Sequence, residues 1–134
     1  MNRIVLDSSA VLAMILNEPG GDRVAALLGT MELESDVTVS VSSVNWCEIL
    51  TRMQRDKVRM TGERLSAVLA GVELVPFGRM DAEAATGYVL VNQALSLGDR
   101  ACLALARSLQ ATAWTAERLW AQCALDVPVE LIRP

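Results

Sequence analysis

At 134 residues, 52% of them hydrophobic, the chain has the length of one domain and enough apolar material for a core. It carries 12 basic and 16 acidic residues, and the formal charge of -4 excludes a bulk positive field as the means of attracting nucleic acid. Histidine is absent, which removes the commonest general base and the commonest zinc ligand, so any catalysis rests on carboxylates.

In chain order, Asn2 to Leu6 reads as an apolar strand that runs at once into Asp7, Ser8 and Ser9. Ser8 or Ser9 is expected to cap a nearly all-apolar, buried helix from Ala10 to Leu16, ended by Asn17-Glu18-Pro19-Gly20-Gly21. A second helix starts near Asp22 and carries Val24, Ala25, Leu27 and Leu28, and Gly29 to Asp36 reads as a loop. Val37 to Val41 alternates with a period of two, as a strand does. Ser42 or Ser43 then caps a helix to about Asp56 in which Glu48 sits among Trp46, Cys47, Ile49 and Leu50. Thr61 caps a further helix to Gly71, and Val72 to Phe77 is a short strand stopped by Pro76.

Asp81 to Gln93 has a helical pattern, Leu95 to Gly98 reads as a loop, and a central buried helix begins at Asp99 or Arg100. Ala111 to Trp114 is a brief strand, Thr115 to Glu117 a turn, Arg118 to Ala124 a short helix and Val129 to Ile132 the last strand. Strands alternating with helices imply an α/β fold with a largely parallel sheet and helices on both faces. No repeat, low-complexity tract or linker divides the chain, so one domain over 1-134 is expected. Cys47, Cys102 and Cys123 lie in apolar helical patterns without the close pairing of a zinc site and read as buried thiols. An odd cysteine count, no secretory signal and no run long enough to span a bilayer point to a cytoplasmic setting with no membrane association.

In a parallel sheet, ligands bind beyond the carboxyl ends of the strands, where the strand order switches. Asp7 ends the first strand, Glu117 follows the penultimate one, Asp99 opens a helix beside the sheet and Glu48 lies one turn into another. All four acids can therefore reach one edge. Four carboxylates in one pocket repel unless a cation lies among them, and hard oxygen ligands favour Mg²⁺ or Mn²⁺. Such an ion suits hydrolysis of a phosphodiester, with Ser8 and Thr115 as supporting hydroxyls. Each acid also has an ordinary role to set against this one. Asp7 and Asp99 suit helix starts, Glu48 a solvent-facing position, and Glu117 a helix start or an ion pair with Arg118.

The stretches Val5-Leu6-Asp7-Ser8-Ser9-Ala10, Val44-Asn45-Trp46-Cys47-Glu48-Ile49-Leu50, Leu95 to Ala106 around Gly98-Asp99-Arg100, and Trp114-Thr115-Ala116-Glu117-Arg118-Leu119-Trp120 resemble the four acidic motifs of PIN-domain ribonucleases. The likeness is specifically to VapC-type toxins of bacterial toxin–antitoxin pairs and extends over essentially the whole chain. It implies a three-layer α/β/α domain with four to five short, mainly parallel strands. It also implies an Mg²⁺- or Mn²⁺-dependent endoribonuclease acting on tRNA or rRNA, a homodimer, and inhibition by a cognate antitoxin. Asp7, Asp99 and Glu117 match the main metal-binding acids, Glu48 the acid that completes the catalytic pocket, and Thr115 a supporting hydroxyl. Glu117 departs from the pattern, since many members carry aspartate there.

Arg52, Arg55, Lys57 and Arg59 put four of the 12 cations in eight residues, and with Arg100 they are the candidate RNA contacts. The same cluster also suits a helix C-terminus. Trp46, Trp114 and Trp120 read as core or dimer-interface residues. Two rival functions are a PIN-like scaffold that binds without cutting and a phosphatase using Asp7 as nucleophile. The second is weakened by Ser9, where such enzymes usually carry another aspartate.

Overall fold

The computed structural model describes residues 2–134. Five strands, β1 (Asn2–Leu6), β2 (Val37–Ser42), β3 (Glu73–Val75), β4 (Thr112–Thr115) and β5 (Val129–Leu131), form one sheet in the order β3-β2-β1-β4-β5. Every pairing is parallel, with Ile4 opposite both Val39 and Thr112. Six helices cover it: α1 (Ser8–Ile15), α2 (Gly21–Leu33), α3 (Ser43–Arg55), α4 (Gly62–Val68), α5 (Arg79–Gly87) and α6 (Leu97–Leu109).

Successive strand residues point to opposite faces, so Val5 and Leu6 serve different cores. Leu6 joins Val11, Val24, Val39 and Ile49 in one, while Val5 joins Leu103, Ala106, Ala113 and Trp120 in the other. The result is the expected three-layer α/β/α arrangement. The sheet grows outward from β1 in both directions, and the point where the order reverses lies between β1 and β4. A crevice is expected beyond the carboxyl ends of those strands. Helices α1 and α2 approach closely, because a Cβ on Gly21 would run into the Ala13 carbonyl.

Several local expectations are corrected. The segment from Gly29 is not a loop: α2 runs through Gly29 to Leu33, where Met31 packs on the core and outweighs the weak helix propensity of glycine. Neither serine caps α1, whose N-cap position is Asp7 itself. The helix expected to reach Gln93 stops at Gly87 and tightens into a 3-10 turn over Tyr88–Leu90, with Tyr88 buried and donating to Asp126 at 2.6 Å. The last short helix is likewise a 3-10 turn, Arg118–Gln122.

The helix α6 begins at Leu97 rather than Asp99, because Ser96 caps it and Asp99 closes the reciprocal box from its third position. Its residues Ala101 to Ala106 are all buried, as their composition requires. Ser42 and Thr61 cap α3 and α4. Of the three thiols, Cys102 is buried and Cys123 half-buried, but Cys47 is exposed on the outer side of α3. Trp120 is core, and Trp114 is half-buried with the Arg23 guanidinium 5.5 Å from its ring centroid.

Candidate active site

The structure brings Asp7 to the switch point at the end of β1, with 2% of its surface exposed. It occupies an N-cap position, yet its carboxylate makes no capping bond, so the ordinary role of an acid there does not account for it. Its Oδ2 accepts hydrogen bonds from Ser9 Oγ at 2.7 Å and Thr115 Oγ1 at 2.9 Å, and Oδ1 receives a long contact from Asn45 Nδ2 at 3.4 Å. Burial raises the Asp7 pKa from its usual 3.8 to about 7. The charges of Asp99 and Glu48 push in the same direction, and the hydroxyls of Ser9 and Thr115 oppose them.

Glu48 is half-buried one turn into α3, where Oε1 accepts from Ser8 Oγ at 2.8 Å and Asn45 Nδ2 at 3.1 Å. Its carboxylate lies against Gly98, and any Cβ at that glycine would overlap it. Asp99 follows in the first turn of α6, with Oδ2 accepting the Ser96 N–H at 2.9 Å. This acid therefore fills the ordinary role of a helix-capping residue through one oxygen. Burial, together with the fields of Asp7, Asp99 and Glu48, pushes the Cys102 thiol up.

Glu117 is the exposed member of the four. It caps nothing and makes no ion pair with Arg118, whose guanidinium donates to the Pro134 carbonyl instead. Its backbone N–H donates to Thr115 Oγ1 at 3.0 Å, so Thr115 ties the Asp7 carboxylate to the turn that carries Glu117. Ser8, Ser9, Glu48 and Glu117 line a cleft of about 290 Å³ whose wall continues through Glu18, Arg52, Arg55 and Arg133. Arg55 has no carboxylate within ion-pair distance among the described residues, whereas Arg52 is held by Asp56 at 2.6 Å. Lys57 and Arg59 are exposed beyond the end of α3 and do not line the cleft. Arg100 also lies away from it, donating to the carbonyls of Leu95 and Ala85.

Three contributors escaped the sequence reading in their site roles. Ser9 was read only as a helix cap, but its hydroxyl donates to Asp7 while accepting the Ala116 N–H at 2.9 Å. Asn45 carries a legible signal, since it shares the buried stripe of α3 with Ile49 and Met53, where an amide needs partners. Arg133 carries none, because only the folded chain brings the C-terminal end to the cleft.

Among the described residues no group of three acids or cysteines stands close enough to hold an ion as a set. Mg²⁺ keeps several waters and takes only one or two carboxylates together with substrate phosphates, which this all-oxygen donor set fits. A cation would also offset the burial and the neighbouring charges of Asp99 and Glu48 that push the Asp7 carboxyl up.

Fold and site together define a three-layer α/β/α domain with an acid-lined cleft at the switch point of a parallel sheet. The PIN domain family matches residues 4–124, and the chain belongs to it. No curated protein sequence matches. Among solved structures, the chain is similar to VapBC-1 from nontypeable Haemophilus influenzae, with a TM-score of 0.69, 13% identity and coverage of 97% of this chain and 98% of that one. It is also similar to a DNA-bound VapBC from Salmonella typhimurium, with a TM-score of 0.66, 17% identity and coverage of 98% and 99%. A third is VapBC2 from Rickettsia felis bound to a promoter DNA fragment, with a TM-score of 0.65, 16% identity and coverage of 96% and 97%. At these identities the likeness is one of fold.

Proposed function

We propose that the chain is a metal-dependent endoribonuclease of the VapC type, a toxin that hydrolyses RNA phosphodiester bonds, with tRNA or rRNA as its targets, and is restrained by a cognate antitoxin. PIN domains are generally metal-dependent nucleases, and solved structures of the same fold are toxin–antitoxin complexes. The observation that carries the reading is Asp7, a buried carboxylate without a capping role, set beside Glu48 and Asp99 at the sheet's switch point.

Mg²⁺ or Mn²⁺ would be held among Asp7, Asp99, Glu48 and Glu117, one or two of them directly and the others through the waters the ion keeps. The ion supplies a water of lowered pKa and stabilises charge on the phosphoryl oxygen. Ser9 and Thr115 keep Asp7 oriented, and Ser8 does the same for Glu48. Arg52 and Arg55 meet the phosphates of the strand along the cleft, with Lys57, Arg59 and Arg100 as further contacts outside it.

The reading extends to one PIN domain over 1-134, a cytoplasmic setting and a homodimer. Exposed Met80, Leu90 and Leu97 offer apolar surface for the dimer, and no described helix is long and apolar enough to cross a membrane. Light scattering tests the dimer directly. A monomer at micromolar concentration contradicts it.

Asp7→Asn and Asp99→Asn are expected to abolish RNA cleavage in Mg²⁺ or Mn²⁺ and growth arrest on expression; full activity in both variants refutes the assignment. A non-cutting PIN scaffold is favoured by one feature, glutamate at 117 where many members carry aspartate, and predicts RNA binding without cleavage. The phosphatase alternative is disfavoured because Asp7 is buried, with Oδ2 engaged by both Ser9 and Thr115.

A further inference from the structure

The side chain of Asn45 contacts all three acid-bearing parts of the chain. It is fully buried, and its Nδ2 stands 3.1 Å from Glu48 Oε1, 3.0 Å from the Gly98 carbonyl and 3.4 Å from Asp7 Oδ1. Glu48 is on α3, Gly98 is in the first turn of α6 next to Asp99, and Asp7 ends β1. An amide nitrogen has two N–H groups, so three acceptors share two protons. The opposite amide orientation would put a carbonyl oxygen against two carboxylates and a backbone carbonyl, so the donor orientation is the only one the surroundings allow. This holds although Asn45 Oδ1 is left buried without a partner, a defect that natural cores rarely tolerate without a reason.

The choice of residue type follows from what the acids need. A lysine or arginine here would neutralise them and compete with a cation. An apolar side chain would leave them without the donor they share. The amide fixes their positions and leaves their charge intact.

We propose that Asn45 is a positioning residue that ties Glu48, Asp7 and the start of α6 together so that a divalent cation can bind beside them; this rests on the nuclease reading above. Partners that orient a metal's direct ligands are typically worth 10- to 100-fold in metal affinity. The contact to Glu48 is shorter than the one to Asp7, and Asp7 has Ser9 and Thr115 as donors where Glu48 has only Ser8 besides Asn45, so Glu48 is the acid most dependent on Asn45.

The test is calorimetric titration of the full chain, stripped with chelator, with Mn²⁺ alone. Asn45→Ala is expected to weaken Mn²⁺ binding roughly 10- to 100-fold, with Asn45→Ser, which restores one donor, falling between it and the wild type. In a Glu48→Gln background the same Asn45→Ala change is expected to cost less than about threefold, because coupled groups are non-additive. Circular dichroism melts identify which variants fold, and the serine variant carries the test if the alanine variant does not. Affinity within about twofold of wild type in a folded variant, or an equal loss with and without Glu48→Gln, overturns the inference while the nuclease reading stands. A wild-type chain that binds no Mn²⁺ overturns both.

Discussion

Replacing Asp7 by asparagine should stabilise the metal-free protein at neutral pH, although it removes a group central to the site. The Asp7 pKa rises from 3.8 to about 7 on folding, chiefly through burial. The unfolded chain therefore releases this proton near pH 3.8 and the folded chain holds it to about pH 7. Between those values the folded state binds more protons, so the contribution of Asp7 is fully present below pH 3.8 and is lost as pH rises to about 7.

At about 1.4 kcal/mol for each tenfold change in proton affinity, the loss reaches about 4 kcal/mol above that window. Asparagine cannot ionise, and its oxygen can still accept from Ser9 and Thr115. Its amino group, however, faces the Asn45 donor, a mismatch worth about 1–3 kcal/mol. The net expectation is about 2 kcal/mol of added stability at pH 8, or a Tm about 8 °C higher for a chain of this size.

Thermal melts of wild type and Asp7→Asn in chelator between pH 4 and pH 8.5 measure the effect. The wild-type Tm should fall relative to the variant across the window and level off above it, and Mn²⁺ should raise only the wild type. A variant that is less stable at pH 8, or a difference that does not change with pH, refutes the reasoning.

Ser9→Ala removes a donor to Asp7 and the acceptor of the Ala116 N–H, and urea unfolding should show a loss of about 1–3 kcal/mol at pH 6. Gly98→Ala forces the Glu48 carboxylate away, with overpacking worth about 1–3 kcal/mol and a fall in Mn²⁺ affinity by calorimetry. Arg55→Ala and Arg133→Ala should each weaken RNA binding in fluorescence anisotropy, and each should reduce the dependence of log K on log salt by about 0.7 if it neutralises one phosphate. An unchanged slope in both would remove the cleft from the RNA path.

The alternation of strands and helices was legible because each strand carries a β-rich run and each helix an apolar stripe. The errors fell where local signals compete with packing. Gly29 resembles a loop residue, but Met31 beyond it reaches the core and extends α2. The Ser96-Leu97-Gly98-Asp99 spacing contains the capping signal for α6, which starts the helix two residues before Asp99.

The four acids could be found from their places at strand ends and helix starts. Their hydrogen bonds could not. Ser9 and Thr115 are neighbours only because β1 pairs with β4, and Asn45 meets Gly98 only because α3 packs on α6. The relation of Glu117 to the others also depends on a turn geometry that no periodicity encodes, and the turn leaves it exposed on the cleft wall.

The central claim is that these acids cut RNA by way of a divalent cation. The most direct measurement is cleavage of total RNA by the purified chain, with and without Mn²⁺ or Mg²⁺, compared with Asp99→Asn. The expected result is discrete cleavage that requires the metal, stops with chelator and is lost in the variant. Cleavage that persists in chelator, or in Asp99→Asn at the wild-type rate, would contradict it.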